Sequence, residues 1–154
     1  MDFLGLKAAR IVALCCGLLV GGSAEAVVID IDNSELAKLV AAGVPLIDIR
    51  TSPEWQQSGI VPGSHLLTFF DDRGNADPGN WLEKARTIAK PSDPVIVICR
   101  TGNRTKVLSQ FLSEKAGYAK VYNVKSGIVA WGKDGRPLQP LSEHLASCRT
   151  GKSC

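Results

Sequence analysis

The sequence predicts an α/β fold: a single domain with a mostly parallel, five-stranded sheet and helices on both faces. Two features predict it. Short β-branched, apolar runs alternate with amphipathic stretches, as in strand–helix–strand units that pack into a parallel sheet. Within that alternation Val95-Ile96-Val97-Ile98 is apolar at every position, as a strand buried on both faces requires. A chain of 154 residues, 45% of them apolar, has the size of one domain and the composition of a folded one.

Taken in order, residues 1–26 read as an export signal, which makes the protein exported and periplasmic. Lys7 and Arg10 supply a basic start, Ile11 to Val20 an apolar core, and Ala24-Glu25-Ala26 a small-x-small cleavage pattern. The apolar run is short for a bilayer span, so no membrane contact is expected once the signal is removed. The domain itself runs from 27 to 140. Val27 to Ile31 is a first strand. Asn33 or Ser34 caps a helix with Leu36, Leu39 and Val40 at helical spacing, stopped by Gly43 and Pro45. Leu46 to Ile49 is the second strand. Ser52-Pro53-Glu54-Trp55 opens a helix with proline at its first position.

A turn over Gly59 to Gly63 leads to a third strand, His65 to Phe70. Residues 71–80 form a polar loop whose acidic spacing does not fit a hand-type calcium site. Trp81 to Ala89 is a helix that stops before Pro91. The strand ending at Cys99 comes next. The helix after it reaches Lys115 and places Val107, Leu108, Phe111 and Leu112 at helical spacing. Ala119 to Val124 is the fifth strand and Gly127 to Trp131 a short helix. Residues 141–154 read as a polar tail.

Composition narrows the function. The net charge is +3, and no basic run interleaves with aromatics, which argues against nucleic acid. The local cluster Arg100, Arg104 and Lys106 suits a small anion instead. Of five cysteines, Cys15 and Cys16 leave with the signal. Cys148 and Cys154 are then free to close a disulfide in the tail of an exported protein, leaving Cys99 as a thiol. No pair has Cys-x-x-Cys spacing and both histidines lie elsewhere, so no metal or other cofactor is expected.

The chemistry gathers at Cys99-Arg100-Thr101-Gly102-Asn103-Arg104-Thr105. The cysteine stands where a core strand ends and a glycine-containing loop enters a helix. Backbone N–H groups at a helix start have no intrahelical partner, and their partial charge, with Arg100 and Arg104, favours a thiolate. Asp48 and Arg50 fall at another strand end, on the edge of the sheet where ligands of such folds collect. A cysteine protease would need a histidine base, but His65 lies in an apolar strand and His144 in the tail. A phosphatase-type loop would carry an arginine six positions after the cysteine, where this chain has Thr105. A short cradle of amides suits a Cys–S–S⁻ anion, formed without a general base because sulfite is a stable leaving group.

At these residues the sequence resembles the rhodanese-like sulfurtransferases, specifically the single-domain exported kind. The loop Cys99 to Thr105 is similar to the family's active-site loop almost position for position. Leu46 to Arg50 with Glu54-Trp55, Gly59 to Ser64, and Ser126 to Trp131 with Gly135-Arg136-Pro137 resemble its other signatures. Ile60 stands where the family often has histidine, and Ser126 where it often has glycine. The resemblance implies that Cys99 carries a persulfide and that Arg100, Thr101, Gly102, Asn103, Arg104 and Thr105 form the anion cradle. It also implies that Asp48 and Arg50 support the site, with Arg50 pairing Glu54. The partners it implies are a small anionic sulfur donor, thiosulfate or a relative, and a thiophilic acceptor such as cyanide, a small thiol or a protein thiol. The alternative is a non-catalytic module of the same fold that binds a partner or senses redox state.

Overall fold

A computed structural model describes residues 26–150. Five strands form an all-parallel sheet: β1 (Val27–Ile31), β2 (Leu46–Asp48), β3 (Ser64–Leu66), β4 (Val95–Ile98) and β5 (Lys120–Val124). Their order is β1-β5-β4-β2-β3. The six helices are α1 (Asn33–Ala41), α2 (Ser52–Ser58), α3 (Pro78–Ile88), α4 (Asn103–Glu114), α5 (Gly127–Lys133) and α6 (Leu141–Arg149). The α/β class and the five strands agree with the sequence reading.

Strand β4 explains both the order and the core. It lies between β5 and β2, and alternate side chains of a strand point to opposite faces. Val95, Val97 and Cys99 enter one core, packed with Trp81 and Ala85 of α3 and Leu108 and Leu112 of α4. Ile96 and Ile98 enter the other, packed with Leu36 of α1 and Ile128 and Trp131 of α5. Cys99 thus points to the α3–α4 side. Because β2 and β5 flank β4, the segments leaving their carboxyl ends flank the cysteine loop. The site is assembled from three neighbouring strand ends.

Several boundaries differ from the sequence reading, each for a local reason. Asp32, one residue before the expected caps, accepts from the Ser34 and Glu35 amides at 2.9 Å and caps α1. Asp77 caps α3 through the Asn80 amide, and with Pro78 in the first turn that helix starts before Trp81. Strand β3 is shorter than His65 to Phe70, although Leu67 and Phe69 still donate to Asp48 and Ile49 carbonyls. Residues 71–80 are exposed throughout.

The segment expected as a polar tail carries α6. Leu141, His144, Leu145 and Cys148 recur at helical spacing, and His144 is buried. The chain reaches α6 through a bridge in which Ile60 and Gln139 exchange N–H···O bonds of 2.9 and 2.8 Å. The export signal over 1–26 lies outside the described residues but for Ala26. The Cys148–Cys154 pairing lies outside them through Cys154.

Candidate active site

Cys99 is 1% exposed, yet its sulfur is not enclosed by hydrocarbon alone. The Gly102 amide donates to Sγ at 3.2 Å, and Thr105 Oγ1 lies 3.5 Å from it. Gly102 is the N-cap of α4, with φ +91°, a conformation that glycine adopts without the strain a Cβ brings. This left-handed residue turns the chain so that its own N–H faces back onto the cysteine. The Thr105 hydroxyl also donates to the Gly102 carbonyl at 3.0 Å, which fixes it beside the sulfur. Among the described residues one backbone amide, that of Gly102, bonds Sγ directly.

The loop is held from outside by the β5–α5 connection. The first amides of α5, Ile128 and Val129, donate to the carbonyls of Cys99 and Arg100 at 2.9 and 3.2 Å. Those contacts satisfy helix-start donors that otherwise lack partners. They also press two backbones together. A Cβ on Gly102 would overlap the Lys125 carbonyl, and one on Gly127 (φ +62°) would overlap the backbone of Arg100 and Thr101. Gly127 and Ile128 belong to the site as surely as the loop does. The signal for them in the sequence is the Gly127–Trp131 helix start, whose role appears only once β5 is seen beside β4.

The charged residues pair differently from expectation. Arg50 does not pair with the Glu54 carboxylate. Its guanidinium forks onto Asp48, with Nε to Oδ1 at 2.9 Å and Nη2 to Oδ2 at 2.7 Å, both side chains almost fully buried. The remaining protons go to Ser58 Oγ at 2.6 Å and the Gly59 carbonyl at 2.8 Å, with a longer contact to the Glu54 carbonyl. The reason is the turn that follows β2, in which the Arg50 amide donates back to Asp48 Oδ1 at 3.1 Å and brings the two side chains together. Asp48 and Arg50 therefore meet directly, and together they clamp β2 to the end of α2.

Glu54 turns instead to the cysteine loop. Arg104 donates from Nη1 and Nη2 to the two carboxylate oxygens at 2.8 and 2.6 Å, the bidentate geometry of a strong pair. Glu54 also accepts from the Thr51 amide at 3.1 Å, the inward half of a capping box. Burial alone would raise the Glu54 carboxyl; the Arg104 hydrogen bonds, the Thr51 amide and the charges of Arg104 and Arg50 outweigh it and hold it at about 2. Arg104 is correspondingly raised, first by its bonds to Glu54 and in smaller part by the Cys99 sulfur. Thus Arg104 is a fixed cation beside the sulfur and not a free arm. The Thr51-x-x-Glu54 spacing was the available sign that this carboxylate faces inward.

A cleft of about 620 Å³ opens over the loop. Arg100, Thr101, Asn103 and Arg104 line it, together with Glu54, Asp71 and Asp72. Arg100, Thr101 and Asn103 are exposed, and Gly102 and Thr105 are buried beneath. Two cations thus meet three carboxylates at the mouth, so the positive character expected of the pocket is confined to the sulfur's own surroundings. The loop after β3, through Asp71 and Asp72, borders the site. His65 and His144 lie away from these lining residues.

A family model described as the rhodanese-like domain matches residues 32–134. The chain belongs to the rhodanese-like family. Among the relatives of this rhodanese-like chain, Thiosulfate sulfurtransferase 18 of Arabidopsis thaliana is 28% identical, over 75% of this chain and 87% of its own length. A protein named sulfurtransferase from Allochromatium vinosum is 31% identical over 71% of this chain and 92% of its own. In three dimensions, the crystal structure of a rhodanese-related protein from Thermoplasma volcanium matches with a TM-score of 0.53 at 25% identity, covering 71% of this chain and 96% of that one.

Proposed function

We propose that the protein is a sulfurtransferase that takes sulfane sulfur from thiosulfate or a related donor onto Cys99 and passes it to a thiophilic acceptor. The observation that carries this reading is the Gly102 amide, 3.2 Å from Sγ at the start of α4. In the first step the Cys99 thiolate attacks the outer sulfur of thiosulfate. The new bond is Sγ–S, the bond broken is the donor's S–S bond, and its electron pair leaves with sulfite. Charge balances without a proton, which suits a site where neither histidine lines the cleft. The persulfide anion so formed sits beside the Gly102 amide and the Arg104 guanidinium, donors already oriented before charge arrives.

Names of relatives support the same reading: the Arabidopsis and Allochromatium proteins are called sulfurtransferases. Intact-mass analysis after thiosulfate treatment tests it. One added sulfur atom is expected on the native chain and none on Cys99→Ala; an unchanged mass in both would leave a non-catalytic module as the better reading. We also propose export by the segment 1–26, tested by the N-terminal sequence of the mature chain, which should begin at Val27.

A further inference from the structure

A separate cleft opens on the face of the sheet opposite Cys99, where α1 and α5 pack. Asp32 and Ser126 stand just past the carboxyl ends of the neighbouring strands β1 and β5, the edge at which ligands of parallel sheets collect. With Asn33, Ser34, Asp134 and Arg136 they line a space of about 360 Å³. None of these residues lines the cleft over the cysteine loop. One wall is a single face of α5, since Ser126, Ala130 and Asp134 recur every fourth residue.

The charged groups of this cleft are held in place, yet they do not neutralise one another. Asp32 accepts the Ser34 and Glu35 amides through Oδ1, and its Oδ2 has no partner among the described residues. Asp134 accepts from Asn33 Nδ2 through Oδ2 at 2.6 Å, and its Oδ1 is likewise unused. Arg136 stands two residues from Asp134, but among the described residues it forms no ion pair with either carboxylate. Its guanidinium lies instead over the Trp131 ring, 5.0 Å from the centroid, and its amide donates to the Trp131 carbonyl. Asn33 adds an independent sign. It is 7% exposed and lines the cleft, and its Oδ1 has no hydrogen-bond partner. A buried acceptor in that position is costly until a donor reaches it.

We infer that this cleft binds a small zwitterion, a free α-amino acid, with its ammonium group between Asp32 and Asp134 and its carboxylate against Arg136. An ammonium group carries three donors, enough for the two carboxylates and for Asn33 Oδ1. The guanidinium fork matches a carboxylate. A simple cation would leave Arg136 unanswered, and a simple anion would face two carboxylates. A ligand whose opposite charges lie a few bonds apart answers both. The volume lies at the lower end of small-molecule sites, which run from roughly 300 to 1,000 Å³, so it suits a free amino acid better than a peptide. This site stands apart from the sulfur chemistry and does not depend on it.

Titration of the full chain with L-alanine, followed by its backbone amide resonances, tests the assignment; methylammonium and acetate serve as single-charge controls. Saturable shifts are expected at the amides of Ser34, Ser126 and Arg136. L-alanine should bind about tenfold or more tightly than either control, the factor that one charged hydrogen-bonded contact supplies. Asp134→Asn and Arg136→Gln should each weaken L-alanine by about the same factor. Methylammonium binding as well as L-alanine would make this a plain cation site, and acetate doing so a plain anion site. Either result overturns the proposal, as does the absence of shifts with L-alanine. Because Asn33 bonds Asp134, Asp134→Asn can disturb the start of α1. Arg136→Gln then decides alone: an unchanged affinity for L-alanine in that variant refutes the site.

Discussion

At the scale of single residues, the Glu54–Arg104 pair decides how the cysteine loop is held. Both side chains are under one-third exposed, so solvent screens the pair only in part. The Glu54 carboxyl sits at about 2 in the folded protein against its ordinary 4.5. A depressed carboxyl contributes stability that is complete above its unfolded value and lost as pH falls toward the folded one. Glu54→Gln should therefore cost about 1–3 kcal/mol at neutral pH, the worth of charged-group hydrogen bonds, and the difference from the native protein should vanish between pH 4.5 and about 2. Urea unfolding of both proteins across that range checks it. Gly102 offers a second residue-scale test. Gly102→Ala must adopt a left-handed backbone and displace the Lys125 carbonyl, so a loss of at least about 2 kcal/mol is expected, along with slower persulfide formation. Native-like stability with native-like kinetics would show that the close approach to β5's end is not needed.

Elements supply the next level. Helix α6 packs beside α2, and His144 is its buried residue. Burial lowers the His144 imidazole, with the nearby charge of His65 adding to it. For a histidine held below its ordinary value of 6.5, the unfolded chain binds the proton more readily. Stability is then complete above pH 6.5 and declines as pH falls below it. Thermal melts at pH 7.5 and 5 should show a drop that His144→Phe reduces; an equal drop in both proteins would assign the acid sensitivity elsewhere. Helix α5 acts differently, because its start is a bracket for the loop. The contact between Gly127 and the Arg100 backbone joins two elements that sequence separates by a whole strand and helix.

Across the whole molecule, the parallel order β1-β5-β4-β2-β3 is what turns three chain segments into one site. Carboxyl ends of adjacent strands lie together, so the loops after β2, β4 and β5 meet without any long connection. The segment after residue 134, beyond the stretch matched by the family, closes the fold over Ile60. Truncation after Asp134 would remove the acceptor for Trp131 Nε1, the Gln139 bridge and all of α6. The expected loss is at least about 3 kcal/mol, from an orphaned indole donor together with newly exposed apolar surface. Chemical denaturation of the truncated chain, with folding checked by near-ultraviolet circular dichroism, measures it. Unaltered stability would mean that residues 32–134 carry the whole cooperative unit.

The sequence by itself determined the features that depend on neighbours along the chain. The uniformly apolar Val95–Ile98 run could only be a central strand, and a cysteine followed by a glycine-containing loop could only stand at its end. Cysteine loop, fold class and strand number were legible for that reason. Partner choice was not, because Asp48, Glu54, Arg50, Arg100 and Arg104 carry interchangeable charges when read as letters. Tertiary structure decided it. The turn at the end of β2 set Asp48 against Arg50, while the approach of α2 to α4 carried Glu54 across to Arg104. The same holds for α6, whose spacing was present but whose polar residues concealed a buried face until α2 was there to cover it. Local pattern fixes elements through backbone geometry, whereas pairing depends on distances that exist only after the sheet has ordered its strands.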